Sequence, residues 1–386
     1  MKLALAAPYD ITDPAAWSGT PFSLHSALLA QAGQHTVATV NVAALLPSGG
    51  RAEQLALLRG LDVGESLRRR TPVSHAGTAW RNPMQSKALC RWLQQEKPDV
   101  LLQFGGYRTK ASGIPYFIYS DSTHELSIRF HAEHPELYAQ LYPGRAPMDS
   151  ERAAQHVQPI YEEADGIFCM SRWMADSLQR TGTDPAKLQV VYAAPNFHGA
   201  PPPQVQAKSL GGRQTYRLLF IGVDFFRKSG DLITEALRQL NADTVQPRFT
   251  IDFAGPTSVP PEIASLPFVR SHGFCDKAKL AALLAAADLF VMPSRFDCFG
   301  IAFLEAMRYG LPCIGRNICA MPEFIQPGVN GELLQSNDAA ELAAHIQKVL
   351  HPAAYTAYSQ AALERAQQYQ WAAIAASMWQ RFEATV

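Results

Sequence analysis

Two carboxylates eight positions apart, Asp297 and Glu305, stand in "PSRFDCFGIAFLEAMRYGLPCIG" (293–315). A carboxylate accepts two hydrogen bonds at once, so such a pair suits gripping the hydroxyls of a polyol. "LFVMPS" reads as a strand, "RFDCFG" as a turn and "IAFLEAMRYG" as a helix stopping at Gly310, with Pro312 beyond. Asp297 then lies in the turn and Glu305 about one turn inside the helix. On this reading both face one cleft, with the amides of Phe299, Gly300 and Ile301 at the helix start. A plainer reading makes Asp297 a helix cap and Glu305 a surface residue. Phe303, Leu304 and Met307 around Glu305 count against a fully solvated face. A second stretch, "YRLLFIGVDFFRKSGDLITEAL", has a strand ending at Gly222, a loop with Arg227, Lys228 and Gly230, and a helix from about Asp231. Cations beside a helix N-terminus at a strand's carboxyl end bind phosphate. Taken alone, the Arg-Lys pair is also what a solvated basic turn contains.

These residues need a scaffold. The 386-residue chain suggests two or three domains. It is 47% hydrophobic and 18% charged, with 34 basic and 34 acidic residues, so no global case for nucleic-acid binding arises. Six cysteines without a C-x-x-C pair read as buried free thiols, not a disulfide framework or zinc site. "MKLALAAPYD" has too short an apolar core for a secretory signal and reads as a buried strand. No stretch reaches the roughly 20 apolar residues of a membrane span.

Apolar strand-like runs fall in two series. The first is 2–8, 36–42, 99–105, 116–121, 166–171 and 188–193. The second is 216–222, 249–255, 268–274, 289–294 and 312–316. Helical patterns alternate with them, which predicts α/β architecture with parallel sheets covered on both faces. "GAPPPQVQAKSLGG" (199–212) reads as a linker. The expected organisation is a Rossmann-like domain at 1–200, a linker at 201–212, a second Rossmann-like domain at 213–368, and a C-terminal helix in 369–386 packing back on the first domain.

The 293–315 stretch resembles the E-x7-E signature of retaining glycosyltransferases of family 4, through Pro293, Ser294, Phe299, Gly300, Glu305, Ala306, Met307, Gly310 and Pro312. Asp297 replaces the first Glu. "FIGVDFFRKSGDL", "IDFAGP", "LAALLAAADLFVMPS", "WSGTPFSLHSALLAQAGQHTV" and "ADGIFCMSRWMADSLQRTGTDPAKLQVVYAAPNF" extend the resemblance over nearly the whole chain. It implies the GT-B fold, two doubly wound parallel-sheet domains facing a cleft. It implies that Glu305 holds ribose hydroxyls and Asp297 hydroxyls of the transferred sugar. Phe299, Gly300 and Ile301 supply backbone near that sugar, and Arg227 and Lys228, following Gly222, bind the diphosphate. Gly19 in "SGTP" matches the N-terminal glycine loop near the phosphates. Gly273 and Phe274, in "SHGFCD", fall near the base. His124 in "YSDSTHEL" matches a histidine near the reacting carbon, with His131 and His134 as rivals.

The implied reaction is metal-independent transfer of a hexose from a UDP sugar, or next GDP-mannose, to a hydroxyl of a glycan, lipid-linked or small-molecule acceptor. No D-x-D segment is present to hold a metal, and no cofactor or nucleic-acid partner is expected. A shorter carboxylate at 297 bears on donor choice. The alternatives are a non-hydrolysing nucleotide-sugar epimerase and a non-catalytic sugar-nucleotide-binding protein. Residues 68–97 carry seven Arg or Lys and one Glu, with Trp80 and Trp92 among them. They read either as a solvated face or as a peripheral contact with anionic lipid. The expected location is cytoplasmic, with or without that contact at the inner membrane face.

Overall fold

The computed structural model describes residues 1–46, 76–142, 147–196, 205–256 and 258–386. The chain divides into two units, Met1–Tyr192 with Trp371–Val386, and Ala193–Gln370.

The first unit holds β1 (Lys2–Ala7), β2 (Thr36–Asn41), β3 (Val100–Gln103), β4 (Tyr116–Ser120), β5 (Gly166–Cys169) and β6 (Leu188–Val190). They form one parallel sheet in the order β2-β1-β3-β4-β5-β6. The "LALAA" run is fully buried in β1, as its continuous apolar character requires of a strand covered on both faces.

The second unit holds β7 (Tyr216–Ile221), β8 (Phe249–Ala254), β9 (Val269–Gly273), β10 (Leu289–Val291), β11 (Cys313–Arg316) and β12 (Gly331–Leu334). Its sheet is also parallel, in the order β12-β11-β10-β7-β8-β9. Both orders run outward from an early strand and then reverse, the doubly wound pattern. Each of the eleven expected strands coincides with an observed one. β12 was not foreseen: four residues after a Gly-rich turn, one of them the buried Glu332, give no apolar run.

Three expectations need correction. The linker read at 201–212 is not a free spacer where it is described, from residue 205 on. Lys208 Nζ donates to the carbonyls of Leu284, Ala285 and Ala287, capping the helix Lys277–Ala286, and Leu210 is buried. Residues 201–204 lie outside the described residues. The second unit therefore begins near Ala193, not after 212, and extends to Gln370. Trp92 does not project as a surface aromatic. On the helix Ala76–Glu96 it shares a face with the buried Leu89 and Leu93 and packs, partly buried, against the first unit's core. The Arg triplet at 68–70 lies outside the described residues.

The C-terminal helix, Trp371–Glu383, is part of the first unit. Trp379 Nε1 donates to the Leu28 carbonyl at 3.2 Å, and the Phe382 ring meets Phe117 at 5.0 Å and Phe168 at 5.6 Å. Among the described residues no helix is long and apolar enough to cross a membrane.

Candidate active site

In the second unit the strand order reverses between β7 and β10. Open parallel sheets bind ligands beyond the carboxyl ends of their strands at such a point. The loops leaving β7 and β10 there carry Arg227, Lys228 and Asp297. Lys228 Nζ donates to Asp297 Oδ2 at 2.8 Å, the side chains being 13% and 17% exposed. The Lys228 stem reaches this position by lying against Gly222, where a Cβ would stand 2.1 Å from Lys228 Cδ. Gly222 is backed by Gly255, whose φ of +105° and 2.9 Å clearance from the Gly222 carbonyl oxygen leave no room for a side chain.

Two helices start beside this pair, Gly230–Leu240 and Ile301–Arg308. Each follows a left-handed residue, Ser229 at φ 63° and Gly300 at φ 79°, and neither has a side-chain cap. Asp297 is thus not the cap of the helix that follows it. First-turn amides and the positive ends of both helix dipoles gather at the carboxyl edge of β7 and β10. Arg227 Nη1 donates to the Phe296 carbonyl at 2.8 Å, and its Nε lies 3.5 Å from Asp224 Oδ2.

The helix Ile301–Arg308 buries Phe303, Leu304, Ala306 and Met307, with the Phe303 ring edge-on to Phe290 at 5.2 Å. Ile301, Glu305 and Arg308 remain on its partly exposed face, at helical spacing. Glu305 Oε1 accepts the Asn196 N–H at 3.3 Å. Desolvation raises the Glu305 pKa, opposed by the positive charge of Lys277 and by the Asn196 hydrogen bond. Phe299 turns its ring into the core against Phe324, at 5.7 Å, so only its backbone stands at the loop. Gly273, at φ 59°, ends β9, and its carbonyl accepts the Gly255 N–H at 2.7 Å. The next residue, Phe274, is 85% exposed.

The switch point thus brings together Gly222, Arg227, Lys228, Asp297, Phe299, Gly300 and Ile301. Glu305 lies a turn into the helix, and Gly273 and Phe274 lie at the end of β9, two strands from β7. The sequence reading missed Asn196, Arg295 and Arg316. Arg295 pairs with Asp231 at 2.7 and 2.8 Å. Arg316 Nε bonds the carbonyls of Pro293 and Ser294, each at 3.2 Å. Burial, then the nearby Arg295 charge, pull the Arg316 pKa down to about 10, so it stays charged at neutral pH. An arginine inside the apolar "VMPSRF" was a usable signal, whereas Asn196 is remote in sequence and gave none. Among the described residues no three His, Cys, Asp or Glu side chains gather as a metal site.

Gly19 and His124 belong to the first unit, whose order reverses between β1 and β3. Trp17, Ser18 and Gly19 all have positive φ (42°, 58° and 81°), and Gly19 precedes the helix Thr20–Ala30 without a side-chain cap. Two consecutive non-glycine residues in this region mark a strained loop. His124 opens the helix His124–Glu133, four residues after β4 ends, and Thr123 Oγ1 caps that helix by accepting the Leu126 N–H. His131 lies about two turns further on, with its ring 4.8 Å from that of Tyr138. His134 is exposed beyond the helix end. Of the three, only His124 sits at the carboxyl edge of the sheet.

Residues 215–352 match the family model for glycosyl transferases group 1. The chain is similar to O-antigen chain mannosyltransferase B of Escherichia coli, 33% identical over 105 residues and 27% of each chain. It is similar to D-inositol 3-phosphate glycosyltransferase 1 of Catenulispora acidiphila, 27% identical over 232 residues and 55% of each chain. The chain thus covers less than two thirds of the length of these relatives. Among solved structures, sucrose-phosphate synthase from Thermosynechococcus elongatus matches with a TM-score of 0.72 at 18% identity, over 100% of this chain and 98% of that one. Anabaena HepE in complex with UDP and glucose matches with a TM-score of 0.64 at 15% identity, over 100% of both. With the two doubly wound sheets, these likenesses establish the fold as GT-B.

Proposed function

We propose that this chain is a retaining glycosyltransferase that moves a hexose from a UDP sugar, or next GDP-mannose, to a hydroxyl of a glycan, lipid-linked or small-molecule acceptor, without a metal. The observation that carries this reading is the Lys228–Asp297 pair between two uncapped helix N-termini at the β7/β10 switch point. Lys has three donors, so Lys228 can hold Asp297 and still donate to a phosphate oxygen. As the bond to the anomeric carbon breaks, negative charge grows on the leaving diphosphate. Lys228 and the helix amides stabilise that charge where it develops, with Arg227 adding its field.

Asp297 accepts hydroxyls of the transferred sugar and Glu305 those of the ribose. The leaving phosphate takes the acceptor's proton on the face it departs from, so neither acid is a nucleophile and the anomeric configuration is kept. The group 1 match, the UDP in the complex of Anabaena HepE and the mannosyltransferase name of the E. coli relative support the donor class.

The test is a panel of UDP and GDP sugars with EDTA present, followed by proton NMR of the product anomer. Transfer or slow donor hydrolysis with retained configuration is expected. An inverted product or an EDTA-sensitive rate refutes the mechanism. Isomerised donor would instead make the chain an epimerase, and binding without turnover a sugar-nucleotide-binding protein.

A further inference from the structure

Residues 226–229, around the key lysine, are all tied to residues 293–297 on the opposite loop. The Phe226 carbonyl accepts from Arg295 Nη1 at 2.5 Å. The Arg227 carbonyl accepts the Arg295 N–H at 2.8 Å, while Arg227 Nη1 reaches the Phe296 carbonyl at 2.8 Å. Lys228 holds Asp297, and Ser229 Oγ donates to the Pro293 carbonyl at 2.8 Å. Two arginines, one from each loop, therefore reach across in opposite directions.

Arg295 is the hub. It is 6% exposed, grips both Asp231 oxygens, and stacks its guanidinium 4.2 Å from the Phe226 ring centroid. Asp231 lies in the first turn of the helix Gly230–Leu240, so the same side chain also holds that helix start.

We infer that Arg295 is a positioning residue which, together with Arg227, locks the β7 and β10 loops into one frame and so fixes the Lys228–Asp297 pair. The inference rests on the transferase reading for its kinetic consequence only. It also reassigns Arg227, whose guanidinium serves the opposite loop first and the diphosphate only through its field. An arginine is needed because three acceptors lie around one planar group over a ring, and a lysine ammonium has neither the planar fork that matches Asp231 bidentately nor a face to stack on Phe226.

Arg295→Met should fold. Its stem still covers Phe226, and Asp231, 36% exposed, can turn to water. Removing the cation of a buried pair leaves its partner unpaired and destabilises the fold, less so here because Asp231 can rehydrate. The experiment measures acetic anhydride labelling of Lys228 by peptide mass spectrometry in wild type, Arg295→Lys and Arg295→Met, with kcat, UDP affinity and Tm alongside. Severalfold faster Lys228 labelling in Arg295→Met is expected, with Arg295→Lys between. kcat should fall roughly 10–100-fold, the scale of an ångström's misplacement, at little change in UDP affinity, while Tm falls with the lost Asp231 pair. In a Lys228→Met background the Arg295→Met change should cost no further rate, because it acts through Lys228.

Unchanged Lys228 labelling overturns the inference whether or not a donor is known. So does a kcat loss that multiplies with that of Lys228→Met. If labelling accelerates but wild type turns over no sugar nucleotide, the clamp stands and the transferase reading falls.

Discussion

Lys228→Met is the sharpest perturbation of the site, because it removes one charge and little else. The methionine stem fills the same channel against Gly222. What disappears is the ammonium that holds Asp297 at 2.8 Å and, on the proposed reading, a diphosphate oxygen. A hydrogen bond to a charged group contributes about 1.5–3 kcal/mol. UDP affinity should therefore fall roughly 10–150-fold. The charge on the leaving group is larger in the transition state, so kcat should fall further, by about 10²–10³. Folding stability should fall by about 1–3 kcal/mol, between the values for exposed and buried pairs, since both side chains keep some contact with water. Calorimetry with UDP and UMP, beside kcat, separates these effects. UMP, held mainly through Glu305, should lose less affinity than UDP. Equal losses for UMP and UDP, or an unchanged kcat, would place the diphosphate elsewhere and refute the reasoning.

Glu305→Gln should weaken nucleotide binding by about tenfold or more, since a charged acceptor is lost. Because burial raises the folded-state pKa of Glu305, its ionised form costs stability that is absent below the unfolded carboxylate pKa and grows as pH rises through the folded value. Glu305→Gln should accordingly raise Tm at pH 7–8 and not near pH 4, and equal shifts at both pH values would contradict this. Asp297→Glu pushes a carboxylate about 1.5 Å further toward the donor and should change donor preference; an unchanged donor panel would make the aspartate a neutral replacement. Gly222→Ala should displace the Lys228 stem and slow transfer by about tenfold or more, and normal turnover would show that the stem has another path. His124→Ala should reduce kcat more than His131→Ala or His134→Ala; the reverse order would take the proposed role from His124.

The second unit was legible because its chemistry is local. Asp297 and Glu305 share one strand-turn-helix segment, and Lys228 lies in another, so strand-end and helix-start signals placed Asp297 and Lys228 on loops and Glu305 inside the helix. The apolar runs gave the strands for the same reason: a parallel strand covered on both faces cannot afford polar residues, and "LALAA" and "LLFI" show it. β12 broke that rule. Its Glu332 is buried only because Lys348 Nζ at 2.8 Å and the Tyr358 hydroxyl at 2.7 Å meet it from helices later in the chain. The linker was misread because proline and glycine composition reports local stiffness, not whether Lys208 will find three carbonyls on a helix some 80 residues away in the chain.

The parts of the site that stayed hidden share a physical cause. Arg316 and Asn196 bond mostly through main chain, Arg316 to the carbonyls of Pro293 and Ser294 and Asn196 by its own N–H to Glu305, and Arg295 adds the Phe226 carbonyl to its pair with Asp231. A residue that donates to a carbonyl constrains its partner's position in space and leaves its partner's side chain unconstrained. Such a contact therefore leaves no pair of complementary side-chain types for a sequence reading to find. The residues proposed to touch a donor are written in side chains at fixed spacing, while the frame that holds them is written largely in backbone hydrogen bonds. Arg295 belongs to that frame, and its removal should disturb geometry without changing any group proposed to contact the donor.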